Sequence, residues 1–396
     1  MSDEVARWAN PVRLVFGPGA TTELDRECGA LGRRAMIVTD ERLAAGEQVT
    51  RVRERLAATG SAVTTFAGVR ANPDLATVRA AAAAAREVGA EVVVGLGGGS
   101  CLDVAKAVAA ARVPGLLDAP EWTATAGLVA PQPPAGPPAL PLVQVPTTHA
   151  TGSELNPVAS LVDDRGDKRL LLSPLLYARV AVVDPALHVS VPARQTAEGS
   201  LESICRVLIP YLTDRADRAL PDAQAQAIVA VLLDATPRAM AAADDLRARG
   251  DLALATAASV QGLAGLGRSR HGHVLWYLGN ALALGAGATK GQTLAPLLGA
   301  HLELLAAGDG PAALGRPERL ARLGAAVLRA PHDAQAARRS LRERLAGWGL
   351  PEGLAQLGVR DGHVQALVAQ TRRLWDGDAL AGLDDRTLER IYRAAL

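Results

Sequence analysis

A run of glycines directly after a buried strand pattern is the part of this sequence with the most evident chemistry. Gly97, Gly98, Gly99 and Ser100 follow the apolar stretch 91–94 and precede an alanine-rich helical pattern. Adjacent glycines let backbone N–H groups approach a ligand without a Cβ in the way, and the start of the helix adds the positive end of its dipole. The turn therefore predicts a site for a pyrophosphate.

A second polar turn follows another apolar strand, residues 142–145. It runs over residues 146–154 and carries Thr147, Thr148 and Ser153. The carboxyl ends of parallel strands meet at one edge of a sheet, which is where ligands bind in open α/β folds. We therefore expect the two turns to serve one ligand.

The elements around these turns alternate between short strands and helices. Strand patterns at 35–39, 62–66 and 92–94 are each followed by an alanine-rich helical stretch, which is typical of βαβ units. Beyond Pro185 only helical patterns recur. The sequence predicts a Rossmann-like α/β domain with a mostly parallel sheet over residues 1–185. An all-α domain is predicted over residues 186–396.

Both turns, together with the runs 15–20, 71–74 and 182–185, resemble the iron-containing (group III) alcohol dehydrogenase family, which has a dehydroquinate synthase-like fold. The resemblance implies a catalytic cleft between the two domains and NAD as the cofactor. It implies a homo-oligomer as well. A carboxylate at the end of a strand, as at Asp40, accepts ribose hydroxyls and repels a 2′-phosphate, which favours NAD over NADP.

The same resemblance implies which side chains bind NAD. The glycine turn would hold the pyrophosphate and the nicotinamide ribose, and the threonine turn would line the adenine and ribose side. The residues implied are Asp40, Asn72, Gly97, Gly98, Gly99, Ser100, Asp103, Thr147, Thr148, Ser153 and Lys168.

Relatives in this family bind Fe²⁺ or Zn²⁺ through one Asp and three His, and the matching positions here carry other residues. Aligning the helix motif with residues 196–206 puts Leu201 at the Asp position and Cys205 at the first His. Two later anchors put Gly272 and Lys290 at the remaining ligands. Trp276 stands at a further histidine position. We expect no metal to bind.

Three residues are the candidates for catalysis. The ammonium of Lys290 would stand near the vacated metal position, where it could stabilise an alkoxide or donate a proton; the alternative is a solvated surface lysine. His271 and His273 flank an expected ligand position and are acid–base candidates because histidine titrates near neutrality. Cys205 is expected to be a small buried residue, and His149 to pack against the cofactor.

Composition excludes several classes of function. The 42 basic and 41 acidic residues are mixed and give a net charge of +1, so we expect no nucleic-acid or anionic membrane partner. The three cysteines lie far apart, and the N-terminal residues have no apolar core of a signal peptide. No apolar stretch is long enough to span a bilayer. These features favour a cytoplasmic protein.

Two functions remain open from the sequence. The first is a metal-independent NAD(H) oxidoreductase acting on an alcohol or carbonyl group of a small molecule or a peptide. Its pathway could be peptide natural-product biosynthesis, where oxidation of a β-hydroxy acid terminus would let CO₂ leave. The second is a catalytically silent NAD-binding homologue that serves as scaffold or regulatory subunit of a partner enzyme.

Overall fold

A computed structural model describes residues 6, 8–58, 60–113, 117, 138–268, 273–285, 287–308, 311–375, 380 and 382–396. Six parallel strands form one sheet in the order β1-β8-β5-β4-β2-β3, and β6 and β7 form an antiparallel hairpin. The strands are β1 Arg13–Phe16, β2 Arg34–Asp40, β3 Ala62–Val69, β4 Val92–Gly97, β5 Leu142–Pro146, β6 Val158–Val162, β7 Lys168–Leu172 and β8 Val180–Val183.

Helices cover both faces of this sheet, as the alternating pattern predicts. One apolar layer packs α1 and α3 against the sheet, and the other packs α4 and α5 against it. Central strand β4 is buried along its whole length, which explains why it is a continuous apolar run. The helices are α1 Leu24–Gly29, α2 Glu41–Ala44, α3 Glu47–Ala58, α4 Leu75–Glu87 and α5 Gly99–Ala110.

The second half of the described chain is helical, as predicted. Its helices share one large apolar core that is separate from the two layers on the sheet. The helices are α6 Ala193–Thr213, α7 Ala219–Ala241, α8 Leu246–Val260, α9 Val274–Gly285, α10 Lys290–Ala307, α11 Pro317–Leu323, α12 Ala334–Ala346, α13 Val364–Leu374 and α14 Asp385–Ala394. Within the described ranges, no helix combines the length and the apolar character that crossing a membrane needs.

The hairpin of β6 and β7 is the main element that the sequence patterns did not predict. It packs on α5, the helix that follows the glycine turn. Its second strand begins at Lys168, so the hairpin brings this lysine toward the carboxyl edge of the large sheet.

Candidate active site

Close contacts at Gly97 and Gly99 in the glycine turn leave no room for side chains. Gly97 has a φ of +146°, and a Cβ there would lie 2.7 Å from the sulfur of Cys101. A Cβ on Gly99 would lie 2.7 Å from the methyl group of Thr151. Gly98 caps α5 without a side-chain hydrogen bond, so the first N–H groups of α5 are available to a ligand.

A cavity of about 280 Å³ opens beside this turn. It brings together six of the residues predicted to bind a cofactor: Asp40, Gly98, Gly99, Ser100, Thr147 and Thr148. Arg42, Arg70 and Gln195 also line it, and the sequence analysis missed all three. The two arginines bring positive charge to a cavity that is predicted to hold phosphates. Arg42 lies two residues after Asp40, and Arg70 lies two residues before Asn72.

Asp40 lies at the end of β2 and faces this cavity. One carboxylate oxygen accepts a hydrogen bond of 2.8 Å from the backbone N–H of Leu43 and thereby caps α2. The other oxygen lies 3.8 Å from the sulfur of Cys101. One oxygen is therefore committed to the helix, and the carboxylate is held in a fixed orientation at the cavity.

Asp103 and Ser153 contact each other beneath the turn. One oxygen of Asp103 accepts a hydrogen bond of 2.5 Å from the Ser153 hydroxyl, and the other accepts one of 2.9 Å from the backbone N–H of Ser160. Burial raises the pKa of the Asp103 carboxyl. This geometry gives both residues a structural role, holding β6 against α5, that the sequence analysis did not foresee. Their direct contact with a cofactor stays a prediction.

Asn72 and Lys168, which the resemblance also implied as cofactor contacts, form a pair. The Lys168 ammonium donates a hydrogen bond of 2.8 Å to the side-chain oxygen of Asn72. Asn72 adopts a left-handed backbone conformation with φ of 50°, which asparagine tolerates better than most residues. Burial and the nearby Lys290 lower the pKa of Lys168 to about 8. Lys168 therefore titrates close to physiological pH.

Lys290 lies between the two halves of the chain, with Glu202 on α6 and Asp103 on α5 near it, and is largely buried. This region is called the cleft below. Its side chain is 16% exposed, and its ammonium lies 3.8 Å from a carboxylate oxygen of Glu202 and 4.2 Å from the ring centre of Trp276. Burial lowers its pKa, and so does the nearby Arg206, whereas Glu202 and Asp103 raise it. The alternative of a solvated surface lysine does not describe this side chain.

The face of α6 that points toward Lys290 differs from the face chosen in the sequence analysis. Glu202 and Arg206 form an i,i+4 ion pair of 3.2 Å on the cleft side. Leu201 and Cys205, which had been assigned to the ligand positions, are buried in the helical core instead. The structure does not test which residues match the ligand positions of relatives, so that assignment stays a prediction. The pair Glu202 and Arg206 had a signal in the sequence, since two opposite charges spaced four apart mark one helix face.

The histidines differ from expectation. His271 lies outside the described residues. Burial and the nearby Arg206 lower the pKa of His273 to about 4, which disfavours titration near neutrality. His149 is buried, and its Nε2 lies 3.0 Å from the Ser200 hydroxyl on α6. It therefore fastens the threonine turn to α6, and its packing against a cofactor stays a prediction. Cys205 is buried, as expected.

Known proteins match both the sequence and the fold. A family model described as iron-containing alcohol dehydrogenase matches residues 11–185. Choline dehydrogenase from Bacillus subtilis (strain 168) is 30% identical over 325 residues, which are 80% of this chain and 75% of that protein. The chain belongs to the iron-containing alcohol dehydrogenase family.

Other members of the iron-containing alcohol dehydrogenase family match over shorter lengths. Long-chain-alcohol dehydrogenase 1 from Geobacillus thermodenitrificans is 32% identical over 63% of this chain, and NADH-dependent butanol dehydrogenase B from Clostridium acetobutylicum is 28% identical over 65%. These matches span 62% and 65% of the two relatives' own lengths.

The crystal structure of NADH-dependent butanol dehydrogenase A from Thermotoga maritima has the same fold, with a TM-score of 0.84, 23% identity and coverage of 99% and 98% of the two chains.

The family name implies iron, and the described residues around Glu202 do not fit a divalent cation. Within the ranges that the structure describes, no three His, Cys, Asp or Glu side chains come together as a metal site. Glu202 supplies a carboxylate, but Arg206 and Lys290 already flank it. Their positive charges oppose a second cation at the same position.

Proposed function

We propose that this protein is an NAD(H)-dependent oxidoreductase that interconverts an alcohol and a carbonyl group without a metal ion. In this proposal the Lys290 ammonium supplies the positive charge that stabilises the substrate oxygen. The observation that carries it is the position of Lys290, a largely buried cation in the cleft between the cofactor turns and α6. Preorganised charge of this kind is among the strongest contributions to catalysis.

The cavity beside the glycine turn supports NAD as the cofactor. The free N–H groups of α5, with Thr147 and Thr148 opposite, suit a pyrophosphate. Asp40 suits a ribose with free hydroxyls. When bound, NAD supplies the hydride or accepts it. The side chains of the protein must stabilise the substrate oxygen and transfer the proton.

The proton steps can be assigned to this chain's residues. In the direction of carbonyl reduction, the Lys290 ammonium donates a proton to the substrate oxygen as the hydride reaches the carbon, and solvent then reprotonates the amine. In the direction of oxidation, the neutral amine accepts the hydroxyl proton. Because the pKa of His273 is about 4, its imidazole is a weak base, and no proton step is assigned to it.

The substrate is proposed to be a small molecule or a peptide. A peptide ending in a β-hydroxy acid belongs in the assay panel, because oxidation of its hydroxyl would give a β-keto acid that can lose CO₂. The contacts described above do not select a particular alcohol as substrate. The panel should therefore include simple primary and secondary alcohols and their carbonyl partners.

Chelation separates the proposed reaction from metal-dependent catalysis. NADH-linked turnover should be measured with and without EDTA, for the original protein and for Lys290→Ala. We expect turnover that EDTA leaves unchanged and that Lys290→Ala removes. Turnover abolished by EDTA and restored by Fe²⁺ or Zn²⁺ would refute metal independence. NADH binding without turnover on any substrate would favour the silent scaffold instead.

A further inference from the structure

Two cations share one carboxylate and one aromatic ring in the cleft. The same Glu202 oxygen that lies 3.8 Å from the Lys290 ammonium accepts a hydrogen bond of 3.2 Å from the guanidinium of Arg206. The two cations lie over the ring of Trp276, Lys290 at 4.2 Å and Arg206 at 5.0 Å from its centre. Glu202 is thus the group through which the two cations are brought together.

This arrangement is held in place from the cofactor side. Arg206 donates hydrogen bonds of 3.2 Å to the backbone oxygen of Ala150, in the threonine turn, and one of 2.9 Å to the Ser259 hydroxyl on α8. Its guanidinium is therefore fixed by contacts with the turn and with α8. Since Arg206 fixes the shared oxygen of Glu202, the carboxylate has little freedom to follow Lys290 if the lysine moves.

Burial of Lys290 makes its charge depend on the groups around it. Glu202 and Arg206 face it from α6, Asp103 from α5 and Lys168 from β7. Two carboxylates and two cations thus surround the ammonium. Removing the Glu202 charge would leave Lys290 facing two cations and Asp103 alone, which disfavours the protonated form.

We propose that Glu202 is a positioning residue for this reaction, which holds the Lys290 ammonium over Trp276 at the point where the substrate oxygen is stabilised. This inference rests on the proposed function. Glu202 acts through Lys290 and does not itself touch the substrate. Trp276 adds a second constraint, because a cation over an indole ring is attracted to its face.

The test compares Glu202→Gln and Glu202→Asp with a matched control on the same helix. Glu198 lies one turn earlier on α6, where it accepts hydrogen bonds from Arg194 and from the Thr289 hydroxyl. Glu198→Gln therefore makes the same change of charge at a neighbouring buried carboxylate outside the cluster. Glu202→Asp keeps the charge and remains informative if Glu202→Gln does not fold.

Two readouts separate positioning from a purely structural ion pair. Trace acetylation across a pH series, read by mass spectrometry, reports the acid dissociation constant of Lys290 without needing activity. The pH dependence of kcat reports the same group during turnover. We expect Glu202→Gln to raise the dissociation constant at least tenfold and to move the alkaline loss of kcat for carbonyl reduction, where the ammonium is the proton donor, to lower pH by the same factor. Glu202→Asp should restore most of the original dissociation constant and most of the original pH dependence of kcat. Glu198→Gln should change neither quantity.

The outcomes distinguish this inference from the proposed function. An unchanged titration of Lys290 in Glu202→Gln, or a loss of kcat by the same factor at every pH, would overturn the positioning role. A shifted titration in a protein that has no turnover with any substrate would overturn the proposed function, and with it the role of Glu202 in a reaction.

Discussion

Replacing Lys290 by methionine tests whether the ammonium stabilises the substrate oxygen, which is the step that defines the proposed reaction. Methionine keeps an unbranched apolar side chain beside Trp276 and removes only the ammonium. Glu202 retains its ion pair with Arg206, so the substitution leaves this buried carboxylate with a partner. We therefore expect a change of less than about 1 kcal/mol in the free energy of unfolding and unchanged NADH binding.

The expected loss of activity follows from the charge. An alkoxide and an ammonium 4 Å apart attract by about 4 kcal/mol at the effective dielectric constant of about 20 that suits a partly exposed site. That energy corresponds to about a 10³-fold change in rate. Removal of one oxyanion donor in other enzymes typically lowers kcat by about 10²–10³-fold. We expect kcat of Lys290→Met to fall within that range, with KM changed much less.

The assay follows NADH absorbance under saturating substrate, with NADH fluorescence titration as the control for cofactor binding. Lys290→Arg is the matched variant, because it keeps a positive charge over Trp276 with a different shape and should retain more activity than Lys290→Met. A decrease in kcat of less than about tenfold in Lys290→Met, which is only about 1.4 kcal/mol, would refute the proposed role of the ammonium.

Three further predictions concern residues predicted to bind the cofactor and the glycine turn. Asp40→Asn can keep the cap of α2 while it removes the charge, so fluorescence titrations should show the NADH-over-NADPH preference falling by at least about tenfold; an unchanged ratio would exclude Asp40 as the discriminating group. Because the pKa of Lys168 is about 8, its charge is present below that pH and lost above it. NADH affinity should therefore decline between pH 7 and pH 9, and Lys168→Met should flatten this dependence. Gly97→Ala should destabilise the protein by about 1–3 kcal/mol in chemical denaturation, because of its positive φ and the nearby Cys101 sulfur. By contrast, Gly299→Ala, in open space on α10, should stabilise it by about 0.5–1 kcal/mol.

The architecture was predictable because its periodic patterns are strong. The buried strand β4 is apolar at almost every position, and α5 begins at once after the glycine turn. The hairpin was not predictable in the same way. Its strand β6 alternates between buried and half-buried positions, but Val158 and Val162 on the less buried face are apolar too, so the sequence shows no alternation of polar and apolar residues.

The candidate site was predictable only where local geometry defines it. A glycine turn after a buried strand needs no tertiary information, and the structure brings Gly98, Gly99 and Ser100 to one cavity. The cleft face of α6 depends on how that helix packs against α7 and α10. Glu202 and Arg206 lie one turn apart and share a face of α6, but only tertiary packing shows that this face meets Lys290. The titration of His273 likewise depends on burial, which the sequence does not show.

Anomalous scattering from crystals grown with NADH and with an excess of Fe²⁺ and Zn²⁺ tests the central claim most directly. We expect density for the cofactor beside the glycine turn and the Lys290 ammonium facing the nicotinamide, with no metal peak between the side chains of the cleft. An anomalous peak for iron or zinc held by side chains there, with Lys290 displaced from Trp276 and Glu202, would contradict it.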